Sequence, residues 1–236
     1  MSSAADNHNP SWTPENVKER LKSSYDAIAP KYNAWTAQHS ELRLDYLEKL
    51  FKLLPAPGPS QQPHFLELGC GAGDPVTRKL LSYPGAHVTA NDLSTTQVEL
   101  ARSNLLGDTE GNSASAGRLT LVEGDMMKLS FPDQSFDAVF GFYSLIHLPR
   151  TEQTEMIEKI ARWLKPGGYL LANFAEDEQE AIVMEKWLDE KDWMFWSAWG
   201  KDKTLKVVES AGLQTVVGEV SKDVVDASFL WVIAKR

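Results

Sequence analysis

The order of apolar and polar residues divides the chain into two regimes. Between residues 13 and 54, apolar positions recur at helical spacing: Val17, Leu21, Tyr25 and Ile28 first, then Leu42, Tyr46, Leu50, Phe51 and Leu54. That spacing predicts two amphipathic helices. Thr13 followed by Pro14 and an acid marks the start of the first, an N-cap with proline at the first helical position. Pro30 is expected to interrupt that helix, since proline lacks the N–H its turn requires, and a second helix is expected over about residues 37–53. The Pro/Gly-rich PAPGPSQQP at residues 55–63 reads as a connector, and residues 1–12 as a disordered tail.

From His64 the period alternates. HFLELG, AHVTAND, RLTLVEGD, FDAVFGFYSL and GYLLANF read as strands. Between them DPVTRKLLSY, STTQVELARSNLL and TEQTEMIEKIARWL read as helices, the second with Val98, Ala101 and Leu105 on one face, the third with Met156, Ile157, Ile160 and Trp163. Strand and helix in regular alternation imply right-handed βαβ units, hence an α/β, doubly wound, mainly parallel sheet covered on both faces. Ligands of such sheets bind beyond the C-terminal strand ends. GDTEGNSASAG, residues 107–117, reads as a mobile surface loop. KTLKVVESAGLQTVVGEV reads as a helix ending at Gly212 and a strand, and ASFLWVIAKR as a last strand antiparallel to it. The expected organisation is a tail (1–12), cap helices with a linker (13–63) and a core (64–236) carrying an insertion at about 175–203, cap and core forming one domain.

Composition narrows the functions. A net charge of −9 and a pI near 5.1 would repel a phosphate backbone, so nucleic acid is excluded as a partner. No apolar stretch approaches the roughly 20 residues of a membrane span, and the polar start lacks a secretory core, so the expectation is a soluble, cytoplasmic protein away from membranes. Cys70 is the only cysteine, which rules out an internal disulfide and a cysteine metal cluster; no metal is expected.

The chemistry starts at LELGCGAGDP, residues 66–75. A triphosphate loop needs Lys followed by Ser or Thr after its glycines, and neither is present. A dinucleotide loop needs G-x-G-x-x-G, but after Gly69 and Gly71 the third position is Asp74, with Gly73 one place early. Asp74 would also set an anion where a pyrophosphate belongs. The form E-x-G-x-G-x-G suits a ligand that approaches the backbone closely without phosphates.

Glu67 to Gly73 resembles the first motif of class I S-adenosylmethionine-dependent methyltransferases. Three more stretches in order strengthen the likeness: AHVTANDLS, VEGDMMKLSFPDQSFDAV and WLKPGGYLLANF. YDAIAPKYNAW is similar to the Y-D-x-x-A-x-x-Y cap helix of the ubiquinone/menaquinone-biosynthesis-like small-molecule methyltransferases. The resemblance implies a Rossmann-like seven-stranded sheet with an antiparallel last strand, and S-adenosyl-L-methionine as cofactor, released as S-adenosyl-L-homocysteine. It places Asp92 on the ribose hydroxyls, Asp125 on the adenine amino group and the Met126 N–H on a ring nitrogen. It assigns Tyr25, Tyr32, Glu67, Gly69, Gly71, Leu93 and Phe142 to the same site. Plainer roles stay open: Asp92 as a helix N-cap, Asp125 as a turn residue, the two tyrosines as packing.

Methyl transfer needs alignment and exclusion of water more than a triad. His147, just past the fourth strand, is the candidate base, and Tyr143 stands beside it; Ile146 occupies a position where the family often carries another histidine. The segment EKWLDEKDWMFWSAWGKD, residues 185–202, has four tryptophans, and either lines an apolar or aromatic acceptor pocket or packs the insertion onto the core. The implied partner is a small-molecule methyl acceptor. The alternatives are a protein methyltransferase, or a protein of this fold that holds the cofactor without transferring methyl, as a cyclase or regulator.

Overall fold

Long apolar runs between short helices build a seven-stranded sheet. The computed structural model describes residues 12–55, 58, 62–107, 117–222 and 228–236. The strands are β1 (His64–Leu68), β2 (His87–Asp92), β3 (Leu119–Glu123), β4 (Phe136–Gly141), β5 (Leu164–Ala175), and, after a separate hairpin, β8 (Gln214–Lys222) and β9 (Ser228–Lys235). Their spatial order is β3-β2-β1-β4-β5-β9-β8. The first five are parallel, and β9 runs antiparallel to both β5 and β8. Parallel strands buried on both faces need near-continuous apolar sequence, and β1 and β4 supply it.

Alternation at period two splits the core. On one face Leu66, Leu68, Val139 and Phe174 pack under α5 (Arg150–Trp163) and α6 (Lys201–Ser210). On the other Phe65, Phe140, Leu171 and Trp231 pack under α2 (Ser40–Phe51) and α3 (Val76–Leu81). Helix α4 (Thr95–Leu106) connects β2 to β3. Trp231 stacks on Tyr46 of α2, with ring centroids 4.1 Å apart and planes within 3°.

Two expectations are corrected. Helix α1 runs unbroken from Pro14 to Thr36 with Pro30 inside it, and only a short 3-10 turn, Ala37–His39, separates it from α2. Proline removes the hydrogen bond to the Asp26 carbonyl, but Ile28 and Ala29 are fully buried, so packing on both sides outweighs one missing bond. The insertion, to which the sequence assigned no elements, holds Glu178–Glu185 (β6) and Trp193–Trp199 (β7), which form a two-stranded antiparallel sheet. A third apolar cluster joins Val17, Leu21 and Ile28 of α1 to Trp193, Met194 and Phe195 of β7. Cap and insertion therefore close over the C-terminal strand ends as one layer. Trp12, assigned to the disordered tail, packs on Phe195 at 4.7 Å between ring centroids, whereas residues 1–11, most of the 55–63 connector and most of the 107–117 loop lie outside the described residues. Among the described residues no helix is long and apolar enough to cross a membrane.

Candidate functional site

The turn after β1 is where the strand ends diverge. Gly69, Gly71 and Gly73 all have positive φ, +77°, +54° and +84°, a region open to glycine at little cost. The N–H groups of Gly69 and Cys70 both donate to the Asn91 carbonyl of β2, at 2.8 and 2.9 Å. A Cβ on Gly69 would overlap Ser144, which closes the turn from above by donating its hydroxyl to the Leu68 carbonyl at 2.6 Å.

A cavity opens beside this turn. Its wall takes Gly69 and Gly71, Asp92 and Leu93 after β2, Asp125 and Met126 after β3, Phe142, Tyr143 and His147 after β4, and Tyr25 and Tyr32 from α1. It encloses roughly 700 Å³ of space, open solvent included. Eleven of the twelve residues singled out in the sequence thus converge. Glu67 is the exception: it turns away and accepts the Thr77 hydroxyl at 2.6 Å, and burial raises its pKa to about 8.

The carboxylates are held by backbone. Asp92 accepts the Gly71 N–H at 2.8 Å on one oxygen and the Ser94 N–H at 2.9 Å on the other. Burial raises its pKa, and those two donors oppose the rise. It is not the N-cap of α4; Ser94 is, accepting the Gln97 N–H at 3.1 Å. Asp125 does take the turn role, accepting the Met127 N–H at 2.9 Å, while its other oxygen meets Lys18 of α1 at 3.0 Å. Lys18 also reaches Glu152 at 2.8 Å, so one ammonium straps the cap across the cavity mouth. Asp26 of α1 accepts the Ser94 hydroxyl at 2.6 Å and the Thr96 N–H at 3.0 Å, docking the cap on the first turn of α4.

Sequence reasoning passed over several wall residues, two of which are polar side chains that tie the cap to the core. Lys18 is one. The other is Gln97, buried on the same helix as Val98, Ala101 and Leu105, whose side-chain oxygen accepts from Asn33 at 3.1 Å and whose Nε2 has no partner among the described residues. A polar residue four places before Ala101 on the inward face of α4 was the available signal.

A second, larger chamber lies behind the first. Trp35, Ile182, Trp187, Trp196 and Phe229 line it, and Tyr25, Tyr32, Tyr143 and His147 belong to both. The aromatic segment divides between the two roles foreseen for it: Trp193 and Phe195 pack on the cap, and Trp187 and Trp196 face the chamber. Asp192 organises the hairpin turn, accepting the backbone N–H groups of Trp187, Leu188 and Asp189 at 2.5, 2.7 and 3.2 Å.

His147 sits in the shared wall, on a 3-10 turn (Leu145–His147) after β4. Its Nδ1 lies 2.7 Å from the Phe195 carbonyl, which can only accept, so Nδ1 carries the proton. Nε2 is then the acceptor for the Tyr25 hydroxyl, 2.9 Å away. Burial lowers the imidazole pKa to about 4, partly offset by the Phe195 carbonyl. A basic group depressed from 6.5 is neutral in the native state while the unfolded chain takes the proton, so stability is present above pH 6.5 and lost as pH falls towards 4. His147→Asn is expected to remove ~2 kcal/mol of that loss between pH 7.5 and 4.5, read by denaturant unfolding at both values. Glu67 acts with the opposite sign: its raised pKa gives stability that is complete below about pH 4.5 and lost as pH rises towards 8. A His147 variant with the wild-type slope at acid pH would show that the ring is not held neutral.

Tyr143 has φ +53°, uncommon for a residue other than glycine, and its N–H donates to the Asn173 side-chain oxygen Oδ1 at 2.7 Å. Cys70 is buried and its thiol pKa is raised well above the ordinary value by that burial, which makes it filler rather than a nucleophile.

Residues 65–168 match the family model described as "Methyltransferase domain". A sterol 24-C-methyltransferase of Gibberella zeae is 40% identical over 103 residues, 44% of this chain and 25% of that protein. The O-methyltransferase cnsE of Penicillium expansum is 35% identical over 113 residues, 48% of this chain and 38% of that protein. The matched stretch thus spans well under half of either relative. Among solved structures, the 1,6-didemethyltoxoflavin-N1-methyltransferase of Burkholderia thailandensis, with its substrate and S-adenosylhomocysteine bound, superposes with a TM-score of 0.67. It is 17% identical over 96% of this chain and 92% of that one, a likeness of fold.

Proposed function

We propose that this protein, whose core belongs to the class I S-adenosylmethionine-dependent methyltransferases, moves a methyl group onto a small apolar or aromatic molecule. One observation carries the reading: the cavity at the glycine turn, which holds Asp92 and Asp125, and an aromatic chamber share a wall of Tyr25, Tyr32, Tyr143 and His147. A donor and an acceptor could meet across that wall out of bulk water.

The residues present fit the cofactor. Gln97 Nε2 is an orphaned buried donor in the cavity wall, and an acceptor oxygen of a ligand would satisfy it. Asp92 and Asp125 put carboxyl oxygens in that wall, acceptors suited to hydroxyl and amino donors. In this reading Asp92 accepts from the ribose, Asp125 from the adenine amino group, and the Met126 N–H donates to the ring. Leu93, Phe142, Gly69 and Gly71 shape the cavity, whereas Glu67 acts indirectly by fixing the loop through Thr77. When bound, S-adenosylmethionine supplies a sulfonium methyl already activated for displacement. The protein then has to position the acceptor, and His147 and Tyr25 are placed at the junction to orient it. The cap excludes water, held by Lys18 and Asp26. The subgroup of ubiquinone/menaquinone-biosynthesis-like enzymes and a cytoplasmic setting are further parts of the proposal.

Calorimetric titration with S-adenosylmethionine and with NAD, followed by incubation with labelled cofactor and a metabolite extract, tests it. NAD binding in place of S-adenosylmethionine would sink the cofactor assignment; tight binding with no labelled product from any extract would favour a protein that holds the cofactor without transfer. Asp92→Ala is expected to weaken S-adenosylhomocysteine binding by about 1–3 kcal/mol through lost charge-assisted hydrogen bonds. Unchanged affinity would mean the ribose lies elsewhere.

A further inference from the structure

The aromatic chamber also says something about the acceptor atom. None of the described residues lining it is Asp, Glu, Lys or Arg; its walls are the rings of Tyr25, Tyr32, Trp35, Tyr143, Trp187 and Trp196, with His39 and His147. The rings meet edge to face: Tyr25 on Tyr32 at 5.1 Å and 86°, Trp35 on Trp187 at 4.8 Å and 76°, Trp187 on Trp196 at 5.6 Å and 83°. Several π faces around one space make a cage that attracts a cation. His147 Nε2 already accepts from Tyr25 and is no ready base for an acceptor proton.

We propose that the acceptor is a neutral amine nitrogen on an aromatic scaffold, methylated to a cationic ammonium that the ring cage stabilises. This rests on the methyl-transfer reading above. The nitrogen lone pair forms the new N–C bond, the carbon–sulfur bond breaks with its electron pair going to sulfur, and the positive charge passes from sulfur to nitrogen. With a tertiary amine no proton leaves, so the wall needs no base. A hydroxyl acceptor must lose a proton, and an alkene carbon must lose one after alkylation; among the described residues the chamber offers no carboxylate to take it. Positive charge arising next to π faces in a water-poor space is what this wall favours.

The test is a matched pair that differs in charge alone. The full chain, saturated with S-adenosylhomocysteine, is titrated with 3-(trimethylammonio)phenol and with its carbon isostere 3-tert-butylphenol, following tryptophan fluorescence and heat. The cation is expected to bind roughly 5-fold or more tighter. Trp187→Leu and Trp196→Leu should each shrink that ratio while leaving S-adenosylhomocysteine affinity unchanged; the wild-type ratio decides the matter even if a variant does not fold. An isostere that binds as tightly as the cation, with S-adenosylhomocysteine binding intact, overturns this proposal and leaves methyl transfer standing. Failure of S-adenosylhomocysteine to bind overturns both. 3-(Dimethylamino)phenol, offered with labelled S-adenosylmethionine, adds a competition within one molecule: label on nitrogen supports the proposal, and label on oxygen overturns it.

Discussion

Gly69→Ala is expected to be the most damaging single substitution in the core, removing cofactor binding and lowering stability by about 3 kcal/mol or more. Two costs add. The backbone at φ +77° disfavours any side chain, and the new methyl would fall inside the Ser144 side chain. Ser144 has nowhere to move cheaply, because its hydroxyl bonds the Leu68 carbonyl of the same turn. Relieving the clash means shifting either the turn or the start of the loop that carries His147, and both line the cavity proposed to hold the cofactor. Denaturant unfolding and S-adenosylhomocysteine calorimetry on the same preparation test this. Gly71→Ala is the control: there the added Cβ meets only the Gln97 side-chain oxygen, at 4.0 Å, so the cost is mainly conformational. Similar stability for both variants would show that the Ser144 contact is soft.

Asp192→Ala carries the second large effect, and it falls on the chamber. This carboxylate is buried and gathers three backbone N–H groups of the hairpin turn, each a charge-assisted bond. Deleting it orphans those donors and frees the segment that places Trp187, at an expected loss of about 3 kcal/mol in stability. Acceptor KM should rise at least 10-fold while S-adenosylhomocysteine affinity stays within about 2-fold, because the turn touches the chamber and not the cofactor cavity. Asp192→Asn, which keeps an acceptor oxygen, should recover part of the loss. Equal damage to cofactor and acceptor binding would mean that the cap and hairpin move as one piece.

The sheet was legible because strands buried on both faces are near-continuous in apolar residues, and HFLEL and FDAVFG are so apart from His64, Glu67 and Asp137. The glycine turn was legible because three positive φ angles in five residues leave a fixed spacing. Pro30 misled because local hydrogen bonding was weighed without the burial of Ile28 and Ala29, which only tertiary contact reveals. β6 was missed for a related reason: EQEAIVME carries three glutamates, and its partner β7 contributes nearly all of the buried surface. Asp92, Asp125 and His147 could be located by position along their strands, but not their partners. That Nε2 of His147 faces Tyr25, or that Lys18 bridges Asp125 and Glu152, depends on where α1 folds back over the sheet.

The Asp26 contacts give that fold-back a thermodynamic meaning. A core helix, α4, has its first turn completed by a side chain from the cap, through Ser94 and Thr96. Lifting the cap to admit a ligand therefore strips α4 of part of its N-terminal support and leaves the Thr96 amide to water. Ligand entry and fraying of that turn become one equilibrium, and amide exchange at Thr96 is its clock.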